Sequence, residues 1–418
     1  MIFFLLFFFL MIAPATCITA QPGCPDSQAL NYDPQAQTNN GSCLYPPTSL
    51  VLQPITTLPN ELTEISGHAF AGGKWWAHED GTTAPVFYQF HPENGQIQQE
   101  VTLENAQNKD WEEMTSNATH LFLGDFGNNQ NNREDLGIYQ VPLAAIGQGS
   151  VENIPDSTWT FIPFSYPDQT NFNAVPLDST TFDAEAFIWK NGLLHLFTKN
   201  WKTYQTAHYT INPENGTTTL LETFNTDGLV TGAAISPDSQ LVVLLGYNIK
   251  TQYAAFAWLL WDWPDPQSNL LFTGNKRRIN LGTVLITGQS ESIAFKDPRR
   301  GFIGNERSSA GGVTFALQSL KSFDFNAWVP EGISETTQLP LLKDEINAYP
   351  NPFSDYLVIH IENGPKVDFF QVKNSIGQVV YAGNGTGTTI ATVHWAKGVY
   401  FLEMRGNNRF FQQKMIKW

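Results

Sequence analysis

Charge is scarce in this chain, and basic charge is the scarcer kind. Asp, Glu, Lys and Arg make up 15% of 418 residues, and 23 Lys and Arg face 39 Asp and Glu, for a formal net charge of −16. So acidic a surface repels a phosphate backbone, which excludes nucleic acid as the expected partner. It suits calcium or a basic partner, although surface carboxylates are often simply solvated. Cysteine is nearly absent, with three in all. Cys17 falls in the N-terminal segment, and Cys24 and Cys43 are expected to form one disulfide in an exported chain. No thiol then remains as a nucleophile. Long apolar runs are missing after the N-terminus. Ile2 to Ile12 is unbroken and apolar but shorter than the roughly 20 residues of a membrane span. With the small residues up to Ala20 it reads as a cleavable signal peptide over 1–20, although no basic residue precedes it. Pro14-Ala15-Thr16 makes Cys17 a poor lipid-attachment site. No transmembrane segment is expected after cleavage. The eight histidines give no HExxH or HxH spacing, so zinc lacks support. No GxSxG elbow or phosphate-binding P-loop occurs.

What the chain has in quantity is aromatic and turn residues: 12 Trp, 30 Phe, 32 Gly and 25 Pro. That composition favours an all-β protein of two or three domains. Five segments share a small or acidic residue followed by apolar ones: SGHAF from Ser66, WEEM from Trp111, AEAF from Ala184, TGAA from Thr231 and ESIAF from Glu291. Aligned on Gly67, Glu112, Glu185, Gly232 and Glu291, each leads into an apolar strand with a polar end, namely WWAHED, LFLGD, LHLFTKN, VVLLGY and GFIGNE. Third strands are expected at VFYQF, LGIYQV, AHYTI, FAWLLW and VTFALQ. Pro92-Glu93-Asn94-Gly95 and Pro213-Glu214-Asn215-Gly216 are one turn used twice, Asn-Gly supplying the positive φ of a tight reversal. Repeated four-stranded units of this kind predict a β-propeller over 48–327. Five blades are counted, and a sixth would fit between Glu112 and Glu185. Leu50 to Leu58 is placed as the outer strand that closes the ring.

The stretches DWEEM, GDFGNNQNNR, DAEAF and ESIAF resemble a group of secreted bacterial propellers and, remotely, esterase-like phytase and lactonase-type propellers. The remote resemblance implies a calcium-dependent hydrolase of phosphoesters or lactones. Gly23 to Tyr45, GCPDSQALNYDPQAQTNNGSCLY, resembles a small module of secreted Bacteroidetes proteins. Over 21–47 it reads as a disulfide-stapled spacer and linker, in which Asp26, Asn31, Asp33 and Asn39 could also offer oxygens to calcium.

After a linker over 328–344, residues 345–418 show alternating apolar positions such as Tyr356-Leu357-Val358-Ile359. They predict a small immunoglobulin-like β-sandwich. The motifs YPNPF, with Pro350, Asn351 and Pro352, NSIG, with Gly377, KGVY, with Gly398 and Tyr400, and the terminal KMIK, with Lys414, closely resemble the type A C-terminal sorting domain of the type IX secretion system. The resemblance implies the secretion machinery as partner, and a product that is secreted or displayed on the cell surface.

The repeat alignment sets Glu112, Glu185 and Glu291 at one position in three blades. Asp125 and Glu306 end two second strands, with Glu79 and Asp80 comparable. A shared mouth of carboxylates would repel itself unless protonated, paired or metal-bound. Calcium is therefore the candidate cofactor, on Glu112, Asp125, Asp183, Glu185 and Glu291, because it takes six to eight oxygens at flexible geometry. Arg133 and Lys199 are the pairing alternative. Two functions stay open: a binding protein with an extracellular ligand at the mouth, or the calcium-dependent hydrolase. The hydrolase wants basic residues for its anionic substrate, with Arg133, Lys199, Arg299, Arg300 and Arg307 as candidates.

Overall fold

The structure is a computed structural model that describes residues 21–80, 84–251, 253–265, 267–329, 346–361, 369–374, 379–383, 388–406 and 409–418. The expected signal peptide, most of the linker and the NSIG reversal with Gly377 lie outside the described residues. Two compact units are present, Met1–Glu331 and Gly332–Trp418.

The first unit is a ring of five sheets, each built on four antiparallel strands. Blade 1 runs outward from Ile65–Ala71 through Lys74–Glu79, Val86–Phe90 and Ile97–Leu103. Blade 2 comprises Trp111–Ser116, His120–Asp125, Gly137–Pro142 and Thr160–Pro163. Blade 3 comprises Ala184–Lys190, Leu193–Thr198, Gln205–Ile211 and Thr218–Asn225. Blade 4 comprises Leu229–Ile235, Leu241–Asn248, Ala254–Trp261 and Asn275–Thr283. Blade 5 comprises Ser290–Phe295, Arg300–Asn305, Ser319–Asp324 and, from the N-terminal side, Gln53–Thr57. The five innermost strands pack against one another in ring order, and the first packs against the fifth. Gln53–Thr57 pairs with Ser319–Asp324, so the chain closes its own ring.

Period-two alternation builds the seams between blades. Successive side chains of a strand point to opposite faces, and both faces of each blade are covered. Leu121 and Leu123 pack toward blade 1, among Trp76, Phe87 and Trp111, while Phe122 between them packs toward blade 3 with Phe187 and Leu196. Val242 and Leu244 face blade 3, and Val243 and Leu245 face blade 5. Each of these side chains is fully buried, which stabilises by roughly 1.5–3 kcal/mol apiece. Phe122 also stacks on Trp189 at 5.1 Å between centroids. The repeated turn behaves as its Asn-Gly requires: Gly95 and Gly216 have φ of 73° and 72°. A Cβ on Gly216 would sit 2.0 Å from the Pro163 carbonyl oxygen.

The expected sixth blade is not formed among the described residues. The long gap instead holds the remaining strands of blade 2 and the strand Val151–Ile154, which adds in parallel to the edge of blade 1. VTFALQ is not the third strand of blade 5. Gly311 and Gly312, both at positive φ, fold Val313–Ala316 back on Ser308–Ala310 as a separate hairpin, and Ser319–Asp324 takes the blade position. The alternation there is real, but Val313 and Phe315 are exposed.

Residues 21–47 are too few to hold a core, and the Cys24–Cys43 disulfide staples them. They dock on the outer part of blade 4. Asn39 donates to the Asp262 carbonyl at 2.8 Å and to Asn275 at 2.9 Å. Arg277 donates to Gln28 and Thr48, and Tyr45 packs on Trp261. The four suggested calcium donors have local partners: Asp26 accepts from Tyr45, Asp33 from the Gln35 amide, Asn31 bonds Ser42 and Leu44, and Asn39 holds blade 4.

The second unit has two sheets. One orders Ile346–Tyr349, Tyr356–Ile361 and Thr388–Ala391; the other orders Val379–Gly383, Phe369–Asn374, Gly398–Gly406 and Arg409–Lys417. Their shared core includes Leu357, Ile359, Phe370, Val372, Leu402 and Met415, as an immunoglobulin-like sandwich requires. The expected motif residues meet here. Asn351, between Pro350 and Pro352, clamps the last strand, donating to the Lys414 carbonyl at 3.1 Å and accepting from the Ile416 amide at 3.0 Å. Tyr400 is buried against Trp395 and donates to the Ala396 carbonyl at 2.7 Å. Gly398, at φ 150°, opens the Tyr400 strand, and the Lys414 side chain is exposed.

Candidate functional site

One backbone irregularity is repeated in all five innermost strands. Pairing with the second strand slips at the same place in each, leaving Ser66, Glu112, Glu185, Thr231 and Glu291 as the extra, unpaired residue. Such a bulge re-aims one side chain out of the strand's alternation. The structural equivalents of the three glutamates are therefore Ser66 and Thr231, not Gly67 and Gly232 as the sequence repeat aligns them. The two hydroxyls do one job: Ser66 donates to the Glu112 carbonyl oxygen, and Thr231 donates to the Ser290 carbonyl oxygen at 2.7 Å. Each thereby ties its blade to the next. Gly67 and Gly232 are needed one residue further on, where the inner strands converge. A Cβ there would lie 2.5 Å from the Met114 nitrogen and 2.6 Å from the Glu291 carbonyl oxygen, respectively.

Four of the five bulged residues, Ser66, Glu112, Glu185 and Glu291, line one cavity of about 400 Å³. The ends of the second strands and nearby loops complete it with Asp80, Asp110, Asp178, Glu306, Lys199 and the aromatic rings of Trp201, Tyr247 and Tyr253. Seven carboxylates thus share the cavity with one ammonium group. Beneath them Glu113, fully buried, reaches from blade 2 to blade 4: its carboxylate accepts from the Met114 amide at 2.9 Å and the Ala233 amide at 3.1 Å. It bridges blades that are not ring neighbours.

The candidate residues divide into two groups. Glu112, Glu185, Glu291, Glu306 and Lys199 meet at the cavity. Asp125, Arg133 and Asp183 are not among its lining residues. Asp125 pairs with Arg133 at 2.8 Å and accepts from the Asp110 amide. Arg133 also donates to the Gly127 carbonyl, locking the GDFGNN turn. Asp183 joins blades 2 and 3, accepting from the Asn128 amide at 2.8 Å and from the Trp201 indole at 3.1 Å. Gly127 is required: a Cβ there would lie 2.2 Å from a Glu112 carboxylate oxygen and 2.3 Å from an Asp110 one. The other basic candidates are engaged elsewhere, Arg299 with Asp238 and the Val329 carbonyl, Arg300 with Asp297, and Arg307 with Gln318 and Asn60.

Sequence reading missed Asp110, Asp178 and the three rings. Asp110 immediately precedes the bulged strand, so adjacency to Glu112 was a usable signal. Tyr247 closes the VVLLGY motif at the repeat position of the other mouth residues. Asp178 and Tyr253 sit in inserted loops that no repeat marks.

Electrostatics follow from crowding. Burial, then repulsion from Glu291, raises the Asp80 carboxyl to about 7. Burial and Asp183 raise Asp110 to about 6. Glu112 is pushed well above the ordinary range by burial and Glu185, and Glu306 by burial and Glu291. Burial raises Glu185 and Glu291 as well, with Lys199 working against it. Burial opposes the charge on Lys199, but the carboxylates, Glu185 foremost, overcome it and raise its pKa well above the ordinary value. Lys199 is ion-paired with Glu185 and lies 5.0 Å from the Trp201 ring and 5.9 Å from the Tyr247 ring. Glu291 accepts from Gln289 through one oxygen at 2.7 Å; the other is buried and accepts no well-formed hydrogen bond among the described residues, because the Thr231 hydroxyl beside it donates to the Ser290 carbonyl instead. Among those residues no three acidic, imidazole or thiol side chains are grouped to hold a metal ion.

Residues 347–418 match the family described as the secretion system C-terminal sorting domain. The chain is therefore type IX secretion cargo, exported to the cell surface or secreted, with the secretion machinery as partner of its tail. No helix among the described residues is long and apolar enough to cross a membrane. No curated protein matches the chain. Among solved structures, PorZ, described as a surface component of the type IX secretion system of Porphyromonas gingivalis, is 11% identical with a TM-score of 0.30, over 90% of this chain and 61% of that one. The chain thus spans about three fifths of PorZ's length. The PQQ-bound aldose sugar dehydrogenase of Streptomyces coelicolor is 11% identical with a TM-score of 0.38, over 66% of this chain and 98% of that one. The WD40 domain of Toxoplasma gondii coronin is 10% identical with a TM-score of 0.31, over 88% and 84%. The propeller assignment rests on the strand order and ring closure described above, not on these distant likenesses.

Proposed function

We propose that this cargo is a binding propeller whose acidic mouth takes a cationic ligand outside the cell. One observation carries the reading: seven carboxylates line a single cavity whose one lysine is already paired with Glu185. Such a site gains Coulomb energy from any positive charge that enters, and more in a partly enclosed cavity than in water. Calcium is one member of that class. Glu112, Glu291, Asp80 and Glu306 would have to draw together to hold it, because they are not grouped as a metal site, Asp125 and Asp183 are engaged elsewhere and Glu185 holds Lys199. The hydrolytic alternative finds less support. An anionic phosphoester needs cationic groups facing the substrate, and Lys199 is the one basic side chain among the lining residues.

Thermal melting of the purified chain with and without millimolar cations tests the reading. Calcium or an organic cation should raise the melting temperature, because a ligand that binds only the folded state stabilises it by mass action. A melting temperature indifferent to every cation at low ionic strength would remove the proposal.

A further inference from the structure

Resting on the cation-binding reading, we infer that the mouth recognises alkylammonium groups, as an aliphatic polyamine or lysine side chains present them, rather than a bare metal ion. An acidic cluster alone does not carry this, and three further observations do. First, Glu291, a residue only 4% exposed, lines the cavity, and one of its carboxylate oxygens accepts no well-formed hydrogen bond among the described residues, the neighbouring Thr231 hydroxyl being given to the Ser290 carbonyl. A buried acceptor left unpaired is costly, and an N–H donor from a ligand would satisfy it. Second, Trp201, Tyr247 and Tyr253 share the wall with the carboxylates, and Ile249 adds an aliphatic surface. Aromatic faces attract ammonium groups, and apolar surface covers a methylene stem, whereas calcium seeks oxygen ligands and gains nothing from either. Third, the protein already shows the mode of recognition. The Lys199 ammonium is paired with Glu185 and lies within 6 Å of two of these rings.

Volume points the same way. A cavity of about 400 Å³ falls within the roughly 300–1,000 Å³ of small-molecule sites and far exceeds one ion. None of the described acidic residues form a three-ligand metal group either. One lysine against seven carboxylates leaves room for more than one positive charge, so a polyamine should bind more tightly than a monoamine of equal length.

Calorimetric titration of the purified full chain tests this, with spermidine, butylamine, trilysine and calcium chloride as separate probes at low ionic strength. Binding of spermidine, with butylamine much weaker, supports a free polyamine, and binding of trilysine alone supports a lysine-bearing peptide; both support the inference. Glu291→Gln should weaken the bound amine about tenfold or more, as loss of a hydrogen bond to a charged group does. Tyr253→Asn leaves a residue that tolerates the positive φ of 54° at this half-exposed position. It should weaken amines about threefold through the lost ring. If Glu291→Gln fails to fold, Tyr253→Asn still decides. Calcium binding with no amine binding overturns the inference and leaves the wider cation reading standing. No binding by any probe overturns both. Amine affinity unchanged in a folded variant of either residue also overturns it.

Discussion

Replacing Lys199 with Met removes the cavity's one lysine while keeping the side chain's length and apolar stem. Lys199 and Glu185 are each 6% exposed, so the lost partner leaves a carboxylate with little water to solvate it. Breaking a buried pair from one side costs about 3–5 kcal/mol, and loss of the ammonium from the Trp201 ring adds about 0.5–1 kcal/mol. Glu185 has an escape, however, because it can take up a proton. Burial already raises its pKa, and Lys199 is the group that holds it down, so in the variant it rises further. The cost should then depend on pH. The loss is least at acid pH, where Glu185 takes up a proton most readily. As pH rises, keeping Glu185 protonated costs about 1.4 kcal/mol per unit, until the full penalty is reached. Urea unfolding at pH 5 and pH 8 measures both values. Lys199→Met should cost more at pH 8 than at pH 5, by up to about 4 kcal/mol. Adding Glu185→Gln should recover most of the pH 8 loss, since a neutral pair replaces a charged one. Equal losses at the two pH values, or no recovery in the double variant, would show that the unpaired Glu185 charge is not what the substitution costs.

Three further outcomes follow from the same structure. Asp80 binds its proton more tightly folded than unfolded, with a pKa near 7 against the ordinary 3.8; its contribution is fully favourable below about pH 4 and is lost as pH rises through 7. Asp80→Asn should therefore stabilise the chain at pH 8, by up to about 4 kcal/mol, and leave it unchanged near pH 4, as urea midpoints at the two pH values would report. Cys24→Ala with Cys43→Ala removes the staple of residues 21–47, worth about 3 kcal/mol for a loop of this length. Limited proteolysis should then cut that module first, while the melting temperature of the five-bladed ring moves little. Deleting residues 346–418 should leave the protein in the periplasm, seen by fractionation and blotting; normal export without them would contradict the assignment of the tail.

Much of the architecture was legible because it repeats. All five innermost strands lie where small-or-acidic residues precede apolar ones, and the apolar alternation that marked them fills the seams on both sides of each blade. Register was harder. Ser66 and Thr231 do with a hydroxyl what the repeat suggested only glutamate does, so Gly67 and Gly232 were aligned in their place. The hairpin at Val313–Ala316 carries a strand's alternation without a strand's burial, and local pattern cannot separate the two. At the site, Glu112, Glu185 and Glu291 were found because a common bulge aims them. Asp125 was included because it ends a strand as Glu306 nearly does, yet Arg133, eight residues on, turns it into a loop anchor. Asp178 and Tyr253 reach the cavity from loops peculiar to one blade each, and only coordinates bring such residues together.

The most direct test is whether cation binding expels protons. Asp80, Asp110, Glu112, Glu185, Glu291 and Glu306 all have raised pKa values, with Lys199 the one lysine among them. A positive charge placed in the mouth must lower those values and release protons into solution. Titration calorimetry with spermidine at pH 7, repeated in two buffers of different ionisation enthalpy, counts them. Roughly one proton or more should be released per ligand bound, and fewer when Asp80 is changed to Asn. Binding heats that are the same in both buffers, or no binding at all, would contradict it.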